Sequence, residues 1–89
     1  MIDLKDKNII ITGATGGIGN SIVEMLFKCH ANILATGTNK DKLEKLKDRF
    51  ENIQIMPFDI SEHEKIEEFL NEATQKLGGS LYCTVNNAG

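Results

Sequence analysis

This 89-residue sequence holds no CxxC pair, no Cys/His ligand spacing, no long apolar run and no basic stripe. Each absence removes a class of function. Cys29 and Cys83 stand far apart, which fits two reduced, largely buried thiols and neither a disulfide framework nor a metal site. His30 and His63 are isolated too, and His63 lies between Glu62 and Glu64, as on a solvated helix face. Without a long apolar stretch there is no candidate transmembrane helix. The opening Met1-Ile2-Asp3-Leu4-Lys5-Asp6-Lys7 lacks the charged-then-apolar layout of a signal peptide, so the expectation is a cytoplasmic protein that uses no membrane. A net charge of −3 with no clustered Lys and Arg argues against a nucleic-acid partner. No repeat, linker or low-complexity segment divides the chain, and its length allows one small domain. Its 40% hydrophobic and 26% charged residues are ordinary for a soluble globular protein.

What is present is an alternation of short apolar runs and amphipathic stretches. Asn8 to Thr12 reads as a strand buried on both faces, because its branched residues are uninterrupted. Ile18 to Phe27 follows as helix A, with Ile18, Ile22 and Leu26 at helical spacing. His30 stands where glycine commonly ends a helix, and histidine tolerates the positive φ that this requires. Ile33 to Thr36 is a second strand, Gly37-Thr38-Asn39 a turn with Asn39 as N-cap, and Leu43, Leu46 and Phe50 mark the buried side of helix B. A third strand covers Ile53 to Phe58. Ser61-Glu62-His63-Glu64 reads as a capping box, and Ile66, Phe69, Leu70, Ala73 and Leu77 form the stripe of helix C. Gly78-Gly79 ends that helix, and Leu81 to Val85 is a fourth strand. The order β-α-β-α-β-α-β predicts right-handed crossovers and a parallel sheet with helices on both faces. Ligands on such sheets sit beyond the carboxyl ends of the strands.

One of those ends carries Thr12-Gly13-Ala14-Thr15-Gly16-Gly17-Ile18-Gly19. A glycine turn between a buried strand and a helix N-terminus offers backbone N–H groups and a positive dipole end to a pyrophosphate. Gly13 permits the sharp exit from the strand. Gly16 or Gly17 lets a ligand approach the backbone, and Gly19 lets the helix pack closely. Taken alone the pattern also fits an ordinary tight turn. The spacing excludes a Walker-type loop, because Ile18 and Gly19 occupy the places of its Gly and Lys.

Three segments lie at the other strand ends: 36–39, Asp59-Ile60 and Asn86-Asn87-Ala88-Gly89. With Thr-Gly-x-x-x-Gly-Ile-Gly at 12–19, Asp59 after the third strand and Asn-Asn-Ala-Gly at 86–89, the whole chain resembles the short-chain dehydrogenase/reductase family. Gly13, Gly16 and Gly19 also fit the glycine spacing of its longer epimerase-like relatives, but 86–89 belongs to the compact reductase branch. Within that branch the sequence is most similar to bacterial 3-oxoacyl-[acyl-carrier-protein] reductases, through Ile2-Asp3-Leu4, 16–19 and the 37–43 stretch.

The resemblance implies a fold, a cofactor and roles. The fold is the N-terminal half of a Rossmann-like doubly wound parallel sheet, ending after the fourth strand, whose outer edge would be unpaired. Gly13, Thr15, Gly16 and Ile18 would line the cofactor phosphates and ribose, with Gly17 and Gly19 shaping the turn. Asp59 would accept from the adenine amino group and Ile60 would pack beside the ring. Asn87 and Gly89 would lie along the adenosine ribose, while Asn86 ties the sheet together. Read by themselves, Asp59 fits a residue preceding the Ser61 cap, and Asn86-Asn87 fits a polar turn.

An acidic side chain at the end of the second strand would hold the ribose of NAD(H) and repel a 2′-phosphate. Here 36–39 is neutral, Thr38 and Asn39 can donate, and Lys40 is nearby. That favours NADP(H) over NAD(H), although Gly16 replaces the arginine found in many NADP users of the family and Asp41 tempers the field. Two further departures, Tyr82 for Asp and His30 for Gly, concern packing. The family's catalytic Ser and Tyr-x-x-x-Lys follow the Asn-Asn-Ala-Gly turn. The only tyrosine here, Tyr82, has Asn86 four positions on, so no catalytic residue is assigned.

The expected function is therefore the N-terminal dinucleotide-binding part of an NADP(H)-dependent carbonyl reductase. A full-length relative would take an acyl-carrier-protein thioester and form a homotetramer. Residues 1–89 alone are expected to be marginally folded and inactive. The alternatives are a non-catalytic dinucleotide-binding module and a decayed gene product.

Overall fold

The computed structural model describes residues 2–87. Four parallel strands form one sheet: β1 (Asn8–Ile11), β2 (Asn32–Gly37), β3 (Gln54–Pro57) and β4 (Cys83–Val85). Three helices connect them: α1 (Gly17–Lys28), α2 (Lys40–Arg49) and α3 (Ile66–Lys76). The strand order is β3-β2-β1-β4, with Ile10 opposite both Leu34 and Thr84. Among the described residues β4 pairs with β1 alone.

The uninterrupted apolar runs of β1 and β2 follow from helices on both faces. Ile9, Ile11, Ile33 and Ala35 point into a core shared with Val23, Leu43, Leu46 and Phe50. Ile10 and Leu34, one residue out of phase, point the other way, onto Phe69 and Ala73 of α3. Phe27 and Phe50 meet at 4.9 Å between α1 and the end of α2. Phe58 and Phe69 stack at 4.3 Å on the opposite face.

Helix ends follow local chemistry. Asn39 caps α2 by accepting from the Lys42 N–H at 3.1 Å. His30 takes a φ of 71° as α1 stops, as its position predicts. The Ser61 capping box does not form. The Ser61 hydroxyl instead donates to Asp59 Oδ1 at 2.7 Å, and a short 3₁₀ turn (His63–Lys65) leads into α3. The hydroxyl's hydrogen is committed to the Asp59 carboxylate, and neither the 3₁₀ turn nor α3 has a side-chain cap. The third and fourth strands are also shorter than the apolar runs suggest, because Phe58 and Leu81 lie outside the ladder.

Candidate functional site

The strand ends converge on a cavity of about 320 Å³. From the glycine turn come Gly13, Thr15 and Gly16; from the end of β2, Thr36, Gly37 and Thr38; beyond β3, Phe58, Asp59 and Ile60; beyond β4, Asn87. A larger hollow along α3 is bounded by Glu64, Glu67, Glu68 and Glu72 with Asn71 and Gln75, an acidic surface that disfavours an anion.

Hydrogen bonds tie the four strand ends into one unit, with the Phe58 N–H just beyond β3 donating to Gly37 O at 3.0 Å. The Thr12 N–H donates to Val85 O at 3.0 Å and the Ala14 N–H to Thr36 O at 3.1 Å. Thr12 Oγ1 donates to Asn86 Oδ1 at 3.1 Å and accepts from the Asn87 N–H at 2.9 Å. Asn87 Nδ2 then donates to Gly13 O at 3.1 Å. Asn86 therefore ties the sheet together, as expected, and Asn87 joins the end of β4 to the glycine turn.

The turn suits an anion for reasons that can be itemised in its backbone. Gly13 has a φ of 61°, a region that penalises a side chain, and this reverses the chain out of β1. The N-cap of α1 is Gly16, which supplies no capping side chain, and the first turn of α1 carries no acid. By contrast α2 has Asp41 in its first turn and α3 has Glu67 and Glu68. The positive end of α1 is thus left uncompensated beside the cavity, where a negative ligand is stabilised.

Gly17, Ile18 and Gly19 fall outside the cavity lining. Ile18 is 72% exposed. Gly17 has open space where a Cβ would stand, and Gly19 is buried against the turn. A Cβ on Gly19 would lie 2.0 Å from Gly13 O, so this glycine allows α1 to approach the loop itself. Gly89 lies outside the described residues.

Asp59 borders the cavity with its carboxylate held by Ser61. The Ser61 hydroxyl donates to Oδ1 at 2.7 Å, and the Ser61 N–H donates to the same oxygen at 2.9 Å. These bonds, the hydroxyl's first, hold the Asp59 carboxyl below the usual carboxylate range. Both end on Oδ1, so Oδ2 remains an acceptor for a ligand amino group. A depressed folded-state pKa means that any contribution from ionised Asp59 is present above the ordinary carboxylate pKa. It is lost only as the pH falls through the lower value. Binding that uses Asp59 should therefore stay flat through the pH at which an ordinary carboxylate titrates and weaken only below it. In Ser61→Ala the Asp59 titration should move up toward the ordinary value, as read from its carboxyl ¹³C shift. An unmoved titration would remove the Ser61 hydroxyl as the cause.

Residues 36–39 hold no charge, and their donors are divided. Thr38 is exposed and lines the cavity, whereas Asn39 commits its oxygen to the α2 cap and keeps only its Nδ2 for a ligand. Lys40 is not among the lining residues. Thr12 and the buried Thr36, at strand ends the sequence marks, also form the wall, and Phe58 is a part of it that sequence reasoning missed. Thr36 Oγ1 has no hydrogen-bond partner among the described residues. Its signal was a lone polar residue closing the apolar run of β2, which marks a strand end opening onto a site.

A family model described as short chain dehydrogenase matches residues 7–89. The chain belongs to the short-chain dehydrogenase family. An uncharacterized oxidoreductase of Staphylococcus aureus strain MRSA252 is 34% identical over 91 residues, covering 100% of this chain and 39% of that protein. The 3-oxoacyl-[acyl-carrier-protein] reductase FabG of Rickettsia conorii is 34% identical over 90 residues, covering 100% of this chain and 35% of that protein. A solved structure of Pseudomonas aeruginosa RhlG, an NADP active-site complex, matches with a TM-score of 0.86 at 26% identity. It covers 99% of this chain and 36% of that one. The chain thus spans well under half the length of these short-chain dehydrogenase relatives. Among the described residues no helix is long and apolar enough to cross a membrane, and no cluster of His, Cys, Asp and Glu could hold a metal ion.

Proposed function

We propose that these residues supply the dinucleotide-binding part of an NADP(H)-dependent carbonyl reductase of the short-chain dehydrogenase family. One observation carries this reading: a single cavity joins an uncompensated helix N-terminus, a neutral turn at the end of β2 and an ionised Asp59. Each suits one part of the cofactor. The glycine turn and the start of α1 would hold the pyrophosphate. Asp59 Oδ2 would accept from the adenine amino group, with Ile60 against the ring. Thr38 and Asn39 Nδ2 would donate to a 2′-phosphate, and no carboxylate stands among the β2-end residues of the wall to repel it. Asn87 would lie along the ribose.

The bound cofactor would supply a hydride; this chain's residues bind and orient it. The likeness to FabG points to a 3-oxoacyl thioester on acyl carrier protein as substrate, in fatty acid biosynthesis. The RhlG complex supports NADP(H) over NAD(H). The 89 residues hold no Tyr-x-x-x-Lys, so these residues alone are expected to bind without turnover.

The test is calorimetric titration of the chain with NADPH and NADH, alongside NADPH oxidation with acetoacetyl thioester. Tighter NADPH binding supports the reading. Preference for NADH would overturn the cofactor choice. Turnover by residues 1–89 would overturn the division of labour. Absence of binding to either nucleotide would overturn the function.

A further inference from the structure

Arg49, in the last turn of α2, reaches across to α1. Its Nη1 donates to Asn20 Oδ1 at 3.1 Å and its Nη2 to Glu24 Oε1 at 3.1 Å. Asn20 sits in the first turn of α1, and its Nδ2 donates to two carbonyls of the glycine turn. These are Ala14 O at 3.2 Å and Gly16 O at 3.0 Å. A guanidinium has donors only, so the oxygen of Asn20 must face Arg49 and its NH₂ must face the loop. Both amide hydrogens and the amide oxygen are then used.

The peptide plane turns this bracing into aim. In a trans peptide the C=O and N–H of one unit point in opposite directions. The Ala14 carbonyl shares its unit with the Thr15 N–H, and the Gly16 carbonyl shares its unit with the Gly17 N–H. The Gly16 carbonyl is already set by the helix, since it accepts the Asn20 N–H at 2.8 Å; holding the Ala14 carbonyl toward Asn20 is what holds the Thr15 N–H away from it. Thr15 lines the cavity, and its N–H has no acceptor among the described residues. That N–H is a donor suited to a pyrophosphate.

We propose that Asn20 is a positioning residue for the cofactor pyrophosphate, and that Arg49 acts through it by fixing the orientation of its amide. The inference rests on the dinucleotide reading above. The Arg49–Glu24 pair is half exposed on both sides, so its value lies in geometry more than in stability. Aspartate at position 20 could accept from Arg49 but would set an oxygen against two carbonyl oxygens.

The test compares two ligands on the full chain. NADPH uses the pyrophosphate contacts; adenosine 2′-phosphate uses the adenine and 2′-phosphate contacts without them. Asn20→Ala is expected to fold, since alanine raises helix propensity at this site. It should weaken NADPH about tenfold, the size of losing aimed hydrogen bonds to a charged group, and leave adenosine 2′-phosphate within about twofold. It should also shift the ³¹P resonances of bound NADPH. Arg49→Ala should weaken NADPH by about threefold alone, and should add nothing in the Asn20→Ala background. Equal weakening of both ligands would show that Asn20 only supports the fold and would overturn the proposal. So would unchanged NADPH affinity in Asn20→Ala. If the unsubstituted chain fails to bind NADPH, the dinucleotide reading falls and takes this inference with it. If it binds and Asn20→Ala binds equally well, the brace alone falls.

Discussion

Gly19→Ala is expected to abolish measurable dinucleotide binding and to lower stability by about 3 kcal/mol or more. A methyl group on Gly19 would stand 2.0 Å from Gly13 O and 2.9 Å from Ala14 Cα. Both are backbone atoms, so no side-chain rotation relieves the overlap. Either α1 must move off the sheet or the glycine turn must move into the cavity. The first opens the core that Val23 shares with Ile9 and Ile33. The second displaces the turn that lines the cavity. Small domains have only about 5–15 kcal/mol of stability, so the loss is a large fraction of the whole. Gly17→Ala is the matched control. Nothing lies within 4 Å of its missing Cβ, and the residue is the first of α1. It should be neutral or stabilising by up to about 1 kcal/mol. Thermal melts and NADPH titrations of the two variants check this. A Gly19→Ala protein with unchanged melting and affinity would mean that α1 and the turn are far looser than the packing shows.

Much of the fold was legible because its signals are local. The run Ile9-Ile10-Ile11 has to be buried on both faces, and the structure divides it between two cores. His30 and Asn39 act as their positions in the chain require. What was illegible depends on neighbours distant in sequence or on competition between nearby groups. Ser61 has the right spacing for a capping box, but its side chain bonds back to Asp59 and the helical turn starts from Glu62 with no side-chain cap. Ile18 follows the glycine turn as the family pattern has it, yet its side chain is exposed and outside the cavity. The Gly13–Gly19 approach was visible only as the need for a glycine, whereas the partner it approaches is the loop as well as the sheet. The brace of Asn20 depends on Arg49, a residue brought from the far end of the next helix. No spacing rule links those two positions.

The largest change in cofactor preference should come from Gly37→Asp. Gly37 ends β2, lines the cavity, and takes a φ outside the left-handed region. A Cβ there would meet Thr15 Oγ1 at 3.4 Å and Thr15 Cγ2 at 3.6 Å, contacts that a small rotation of Thr15 absorbs. Aspartate therefore fits, and it sets a carboxylate in the part of the cavity assigned to the 2′-phosphate. Two like charges about 4 Å apart repel by about 4 kcal/mol at the effective dielectric of a protein surface. Solvent screening and movement of the side chain reduce this, so we expect NADPH to weaken by at least about 100-fold, near 3 kcal/mol. NADH carries hydroxyls where NADPH carries the phosphate, and these can donate to the new carboxylate. Its affinity should hold or rise, which reverses the preference. Gly37→Asn separates charge from shape, since it has the same size and should cost NADPH far less. The reversal should shrink with added salt if repulsion is its cause. Equal losses in the Asp and Asn variants would make the effect steric. Unchanged NADPH binding in Gly37→Asp would place the 2′-phosphate elsewhere and overturn the assignment of the β2 end as the element that chooses between the two cofactors.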